Sequence, residues 1–218
     1  PYVRVNFVAS TDGAVSVDGR SGGLQSSADR QVFGLLRRLA EVVLVGAGTA
    51  RAENYGGARR PTRGHDAPPP IAVVTGSADL DPGSRLFTDT TVAPIVLTTA
   101  RAPAERRAAI SGVGGEVVLL NRLTPQEVLA ELDRRGLRRV LCEGGPTLFG
   151  DLIAAGAVDE LCLTVAPLVA GGTAGRIARG PAGAAARPLA LVGVIRDDDG
   201  TLLLRYRRAD HLPDPPNG

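Results

Sequence analysis

Short apolar runs alternate along the chain with amphipathic stretches of helical spacing, the pattern of an α/β domain in which helices cover a largely parallel sheet. The first strand is predicted over Val3 to Ala9. After a loop rich in Gly and Ser, Ser27 is placed to cap a helix from Ala28 to about Leu39, with Val32, Leu35, Leu36 and Leu39 on its apolar face. The run "EVVLVGAGT" reads as a buried strand entering a tight turn, and residues 56–70 hold no apolar periodicity, which makes them a loop. Strands follow at Ile71 to Thr75, Pro94 to Thr99 and Glu116 to Leu120, with a helix near Ala104 to Ile110 before the last of them. Thr124 and Pro125 form an N-cap and first helical position, and Glu127 completes a capping box for a helix to Arg134. A strand from Arg139 to Cys142 leads into "EGGPTLFGD" and a helix from Thr147 to Ile153. A long strand, Glu160 to Val169, and a Gly and Ala-rich loop, 171–187, come next. Strands Leu189 to Arg196 and Thr201 to Arg207 flank the turn signal "DDDG" and form an antiparallel hairpin. No repeat and no composition shift asks for a second domain, so residues 1–208 are expected to form one unit and 209–218 a frayed tail. A strand pattern that begins almost at residue 1 implies that the chain starts inside a longer gene product.

Composition sharpens this picture chiefly by exclusion. A chain of 218 residues with 44% hydrophobic residues is not disordered. Aromatics make up 3%, with no Trp and no Met, so Val, Leu, Ile and Ala fill the core and the base-stacking platforms of single-strand nucleic-acid binders are poorly supplied. The net charge is +2, and all 25 basic residues are Arg, which excludes a lysine Schiff base. Cys142 and Cys162 sit in apolar strand-like runs and read as core residues, which makes a reducing cytoplasm the default location. His65 and His211 lie apart in polar segments without zinc spacing, so no metal site is expected. No apolar stretch approaches the ~18 residues of a membrane span.

Three stretches carry candidate chemistry. "LVGAGTARAEN", Leu44 to Asn54, puts two glycines and a threonine where a buried strand stops, a turn suited to phosphate that standing alone is better read as structural. "EGGPTLFGD" repeats the arrangement: Gly144 and Gly145 allow backbone to approach an anion, and Glu143 places a carboxylate where strand becomes helix. That carboxylate is either aimed at a ligand or paired with an Arg, and these residues alone leave both open. "NFVASTDGAVSVDGRSGGLQSS" is a strand and a long loop exposing Ser10, Asp12, Asp18 and Ser21, with Arg37, Arg51, Arg59, Arg60 and Arg63 following in sequence.

Taken together, "STDG" at 10–13, "VGAGTARAEN" at 45–54, "EGGPTL" at 143–148, "VDEL" at 158–161 and "APLVAGG" at 166–172 resemble the reductase domain of riboflavin biosynthesis, from about residue 3 to residue 207. The resemblance implies a dihydrofolate-reductase-like three-layer sandwich, with a mostly parallel central sheet and a C-terminal antiparallel hairpin. It also implies NADPH-dependent reduction of 5-amino-6-(5-phosphoribosylamino)uracil to the ribitylamino product, by hydride transfer to C1′ of the ring-opened imine. Position by position, it assigns the cofactor to Val8, Gly23, Gly46, Thr49, Glu53, Thr75, Ser77, Gly144, Gly145, Pro146, Thr147 and Leu148. It assigns the substrate to Ser21, Arg37, Gly57, Arg60 and Glu143, the arginines at its phosphate, and makes Asp12 the candidate, beside Glu143, for proton delivery or for orienting that network. Thr11, Gly23, Glu53 and Tyr55 depart from the family's usual Leu, Trp, Asp and Pro. No deaminase zinc motif is present, so the preceding step is outside this chain's reach. The family implies a homodimer built through sheet elements, with a phosphorylated pyrimidine as partner and no nucleic acid or membrane. Two alternatives stand beside this reading: a paralogue reducing a pterin such as dihydrofolate, and an NADP-binding module without catalysis.

Overall fold

A computed structural model of the chain describes residues 1–180 and 186–209. In chain order the elements are β1 (Tyr2–Ser10), a 3₁₀ turn (Ser21–Leu24), α1 (Ser27–Leu39), β2 (Val42–Gly46), α2 (Ala47–Ala52), β3 (Ile71–Val74) and α3 (Arg85–Thr88). They continue with β4 (Ile95–Thr99), α4 (Ala104–Gly112), β5 (Glu116–Leu120), α5 (Pro125–Arg134), β6 (Arg139–Cys142) and α6 (Pro146–Ala154). β7 (Glu160–Ala166), β8 (Leu189–Arg196) and β9 (Leu202–Arg208) complete them. The strands lie in one sheet of order β5-β4-β3-β2-β6-β1-β7-β9-β8, parallel from β5 to β7 and antiparallel at β9 and β8.

The continuous apolar run of β2 is explained by burial on both faces. Val43 and Val45 pack with Leu36 of α1, Ile71, Val96 and Ile110 of α4. Val42 and Leu44 point the other way, toward Val128 and Leu132 of α5 and Leu152 of α6. Helices therefore sandwich the sheet, as the alternating pattern implies.

Several boundaries differ from expectation for local reasons. Ser26, not Ser27, caps α1 by accepting from the Asp29 amide at 3.1 Å. Leu35 points to solvent, so the buried face of α1 is narrower than its apolar residues suggest. The Thr124 hydroxyl accepts from the Glu127 amide, but the Glu127 carboxylate turns to the Arg122 amide at 3.0 Å, and the capping box is half made. β7 stops at Ala166 instead of running to Val169, because Pro167 has no amide to continue the ladder. The single turns Ser21–Leu24 and α3 are too short to leave a periodic signal. Of the predicted frayed tail, residues 210–218 lie outside the described residues, as do 181–185 of the loop after β7.

One buried carboxylate joins the parallel and antiparallel parts of the sheet. Arg4, Glu160 and Arg207 occupy one row across β1, β7 and β9. Glu160 accepts from Arg4, from Arg205 at 2.7 Å, from Arg207 at 3.2 Å and from the Tyr2 hydroxyl at 3.0 Å. Burial opposes its charge, but these donors outweigh it and hold the carboxyl at about 2. Because the folded pKa lies below the ordinary 4.5, the stabilisation is complete above that value and is lost as pH falls from 4.5 toward about 2. Glu160→Gln should therefore lower stability at neutral pH by roughly 2 kcal/mol. In urea titrations across acidic pH, the variant should also lack the part of the acid-unfolding slope that Glu160 supplies.

Candidate active site

The carboxyl ends of β1, β2 and β6 lie side by side, and a cavity of about 220 Å³ opens over them. Asn6, Phe7 and Val8 of β1 form its floor, with Glu143 and Pro146 beyond the end of β6. Ser21 and Gln25 come from the loop before α1, and Asp29 and Phe33 from α1 itself. Thr49, Ala52, Glu53 and Tyr55 come from α2 and the residues after it.

Glu143 is buried, and its carboxylate is held by three hydrogen bonds from two residues. Arg37 donates twice, Nε to Oε1 at 2.8 Å and Nη2 to Oε2 at 2.7 Å, and the Tyr55 hydroxyl donates to Oε2 at 2.9 Å. The guanidinium is itself held between rings, its carbon 4.5 Å from the centroid of Phe33 and 5.6 Å from that of Tyr55. Burial works against the Arg37 charge, but the Glu143 carboxylate overrides it, so the guanidinium holds its proton more strongly than usual. Burial, then the charge of Glu143, pushes the Tyr55 phenol well above its ordinary value, so Tyr55 acts as a donor only.

Beside this cluster the two glycine turns are joined to each other. The Gly46 amide donates to the Gly144 carbonyl at 2.8 Å. Gly144 has φ of 102°, which favours glycine, and a Cβ on Gly145 would stand 2.6 Å from Thr49 Oγ1. α6 then opens with Gly145 as an N-cap that has no side chain to offer and Pro146 in its first turn. The first-turn amides of Thr147 and Leu148 are thus left without a side-chain cap, at the positive end of a nine-residue helix. This cradle of small residues, uncapped amides and a threonine hydroxyl fits the pyrophosphate of a dinucleotide.

A family model described as the RibD C-terminal domain matches residues 1–203. The chain belongs to that family. RibD of Mycobacterium tuberculosis is 32% identical over 174 residues, which make up 79% of this chain and 44% of that protein. The chain therefore spans less than half of that relative's length. An Archaeoglobus fulgidus protein named 2,5-diamino-6-ribosylamino-4(3H)-pyrimidinone 5′-phosphate reductase is 30% identical over 181 residues, covering 79% of this chain and 83% of that one. The crystal structure of a pyrimidine reductase-like protein from Corynebacterium diphtheriae superimposes with a TM-score of 0.84 at 26% identity, over 95% of this chain and 92% of that one. A dihydrofolate reductase from Enterococcus faecalis superimposes with a TM-score of 0.55 at 16% identity, over 96% and 97% of the two chains, a likeness of fold. The expected family and dihydrofolate-reductase-like fold are therefore the observed ones.

Of the residues singled out by sequence, the structure brings Val8, Ser21, Thr49, Glu53, Glu143 and Pro146 to this cavity. Gly46, Gly144, Gly145, Thr147 and Leu148 form the turns behind it. Glu53, one methylene longer than the family's usual Asp, accepts from the Ser21 amide at 2.9 Å and ties the loop before α1 to the end of α2. Two expectations need correction. Arg37 does not stand free for a phosphate, because its guanidinium is engaged twice by Glu143. Asp12 lies outside the cavity lining: it accepts from the Ser10 hydroxyl, the Ala170 amide at 3.1 Å and the Gly171 amide at 2.8 Å. Those donors, Ser10 first, lower it to about 2, so at neutral pH it has no proton to deliver and serves to latch two loops together.

Gly57 is explained by packing, since a Cβ there would stand 2.4 Å from Thr90 Oγ1, and Arg60 is exposed and outside the lining. Gly23 packs on Val17, while Thr75 and Ser77 lie past the end of β3, away from the cavity wall. Sequence reasoning missed Asn6, Asp29 and Phe33, and noted Tyr55 only as a departure from the family pattern. The Phe33 and Arg37 spacing of one helical turn was the available signal for the stacked pair. Among the described residues no group of three or more His, Cys, Asp or Glu could hold a metal ion, and no helix is long and apolar enough to cross a membrane.

Removing the cation from this cluster leaves Glu143 buried and uncompensated, so Arg37→Ala should cost about 3–5 kcal/mol in urea unfolding. Tyr55→Phe keeps the ion pair and should cost about 1–2 kcal/mol.

Proposed function

We propose that this chain reduces a phosphorylated ribosylaminopyrimidine, 5-amino-6-(5-phosphoribosylamino)uracil, with NADPH as reductant, as a step of riboflavin biosynthesis. The observation that carries the reading is the joint between the two glycine turns, a set of small residues and uncapped amides directly beside a buried carboxylate at an open cavity. The names of the family's reductase members and the match over residues 1–203 support the substrate class. A bound nicotinamide supplies hydride to C1′ of the opened sugar. The residues proposed to hold its dinucleotide are Gly46, Thr49, Gly144, Gly145, Pro146 and the amides of Thr147 and Leu148, with Val8 at the nicotinamide end and Thr75 and Ser77 toward the adenosine. Glu143, fixed by Arg37 and Tyr55, accepts from pyrimidine N–H groups, and Ser21 adds a polar contact across the cavity. Arg60, which is exposed and makes no side-chain hydrogen bond or ion pair among the described residues, is the cation proposed for the substrate phosphate, as the family resemblance implies.

Mixing the protein with NADPH and the ribosylaminopyrimidinedione phosphate should consume the absorbance of the reduced nicotinamide. NADH, the diaminopyrimidinone analogue and dihydrofolate run beside it define cofactor and ring preference. No turnover of either pyrimidine, while NADPH still raises the melting temperature, would overturn the reading.

The proposal includes a cytoplasmic homodimer. Both cysteines are buried free thiols, in keeping with a reducing compartment. β8 is a sheet edge whose Leu191, Val192, Val194 and Ile195 are exposed, and a second copy would cover them. Light scattering at micromolar concentration should give twice the chain mass, and Ile195→Glu should halve it. A wild-type monomer refutes the dimer.

A further inference from the structure

Asp29 is a cavity acid that, unlike Glu143, has no ion pair among the described residues. It is the third residue of α1, a position from which an acidic side chain can reach back and close the helix start. Here Ser26 already accepts from the Asp29 amide, and the Asp29 side chain turns away from the helix onto β7. Its Oδ1 accepts from the Thr164 hydroxyl at 2.6 Å, and among the described residues its carboxyl group makes no other hydrogen bond and no ion pair. The residue is only 4% exposed, yet it lines the cavity. Oδ2 is therefore a polar atom without a protein partner at the wall of a binding cavity.

The neighbouring acids are held differently. Glu143 is clamped by Arg37 and Tyr55, and Glu53 takes the Ser21 amide. Asp29 has only a neutral hydroxyl. Burial pushes its carboxyl above the ordinary value, against smaller downward pulls from Thr164 and from Arg30 on its own helix. On β7, two residues before Thr164, Cys162 is a buried thiol pushed to about 11, and Asn6 of β1 is uncharged, so neither supplies a cation. A buried carboxyl without a cation, beside a carboxylate clamped by one, is an arrangement that keeps a proton donor next to a fixed acceptor.

We propose that Asp29 is the proton donor of the reduction, passing the proton on Oδ2 to the nitrogen attached to C1′ as that carbon takes hydride. The assignment rests on the reductase reading above. The new N–H bond is made with the electron pair of the C=N π bond. The new C–H bond is made with the pair that arrives with hydride from the reduced nicotinamide. Asp29 is left as a carboxylate, steadied at Oδ1 by Thr164, and solvent returns its proton before the next turnover. Thr164 is a positioning residue, since it occupies one oxygen and so directs the proton to the other.

Asp29→Asn keeps the shape and the Thr164 contact but has no proton to give. Its kcat should fall at least ~100-fold, the usual weight of a general acid, while NADPH affinity and pyrimidine KM stay near the wild-type values. Wild-type kcat should fall as pH rises through the pKa of the donor, and this basic limb should be absent from Asp29→Asn. Thr164→Val removes a hydrogen bond that pulls Asp29 down, so it should move the limb to higher pH, a shift that a merely structural role does not produce. Independently of turnover, infrared difference spectra of the ligand-free proteins should show a protonated-carboxyl band in the wild type that Asp29→Asn lacks. An unchanged kcat in Asp29→Asn, a loss confined to KM, or absence of the band overturns the assignment. If the wild type reduces neither pyrimidine, the reductase reading falls and takes the donor step with it, even where the band is present.

Discussion

The paired charges of Arg37 and Glu143 hold the site in shape. Glu143 sits where β6 ends, Arg37 comes from the far half of α1, and Tyr55 follows α2, so one carboxylate fixes three separate segments around the cavity. Buried ion pairs add little stability when compared with a well-packed apolar alternative. Their strength is geometric, because neither partner can leave without exposing the other to an apolar interior. The stacking of Phe33 and Tyr55 on the guanidinium serves the same end, giving a flat cation flat neighbours. A ligand that meets Glu143 therefore meets an acceptor whose orientation is set before binding.

The glycine joint works by the opposite means, removal of side chains. Gly46 and Gly144 bring the ends of β2 and β6 into direct hydrogen-bond contact, and Gly145 leaves room for Thr49. Uncapped amides at the start of α6 and the Thr49 hydroxyl then lie together at the joint. The cradle and the Glu143 cluster share a single strand end, so two chemically unlike ligands can be seated within a few residues of each other.

Fold was legible because its signal is periodic. The doubly buried run of β2, the alternation of strands with amphipathic helices and the "DDDG" hairpin turn each carry their own local reason. Glu143 was visible too, as a charge interrupting an apolar strand end. The pairing was not, because Arg37 is 106 residues away, and the resemblance that singled it out pointed to a phosphate instead of to Glu143. Asp12 and Asp29 show the same limit from the other side. Both are aspartates near loops, and only the packing of β7 against α1 makes one a buried acid and leaves the other an exposed latch. Tyr55 looked like a departure from a family pattern until its hydroxyl was found on Glu143.

The position of β1 bears on how the chain reaches this state. β1 is the first segment of the chain, yet it lies between β6 and β7, with Tyr2 opposite Arg139 and Arg4 opposite Glu160. The cavity floor of Asn6, Phe7 and Val8 is thus held by partners that lie far along the chain from it. Pairings of such long sequence separation carry a large loop-closure cost and slow the search for the native topology. The β2 to β5 region, whose parallel neighbours follow one another in sequence, is free to assemble earlier. The cavity therefore takes shape only when β1 inserts between β6 and β7, a step that the β2 to β5 region does not have to await.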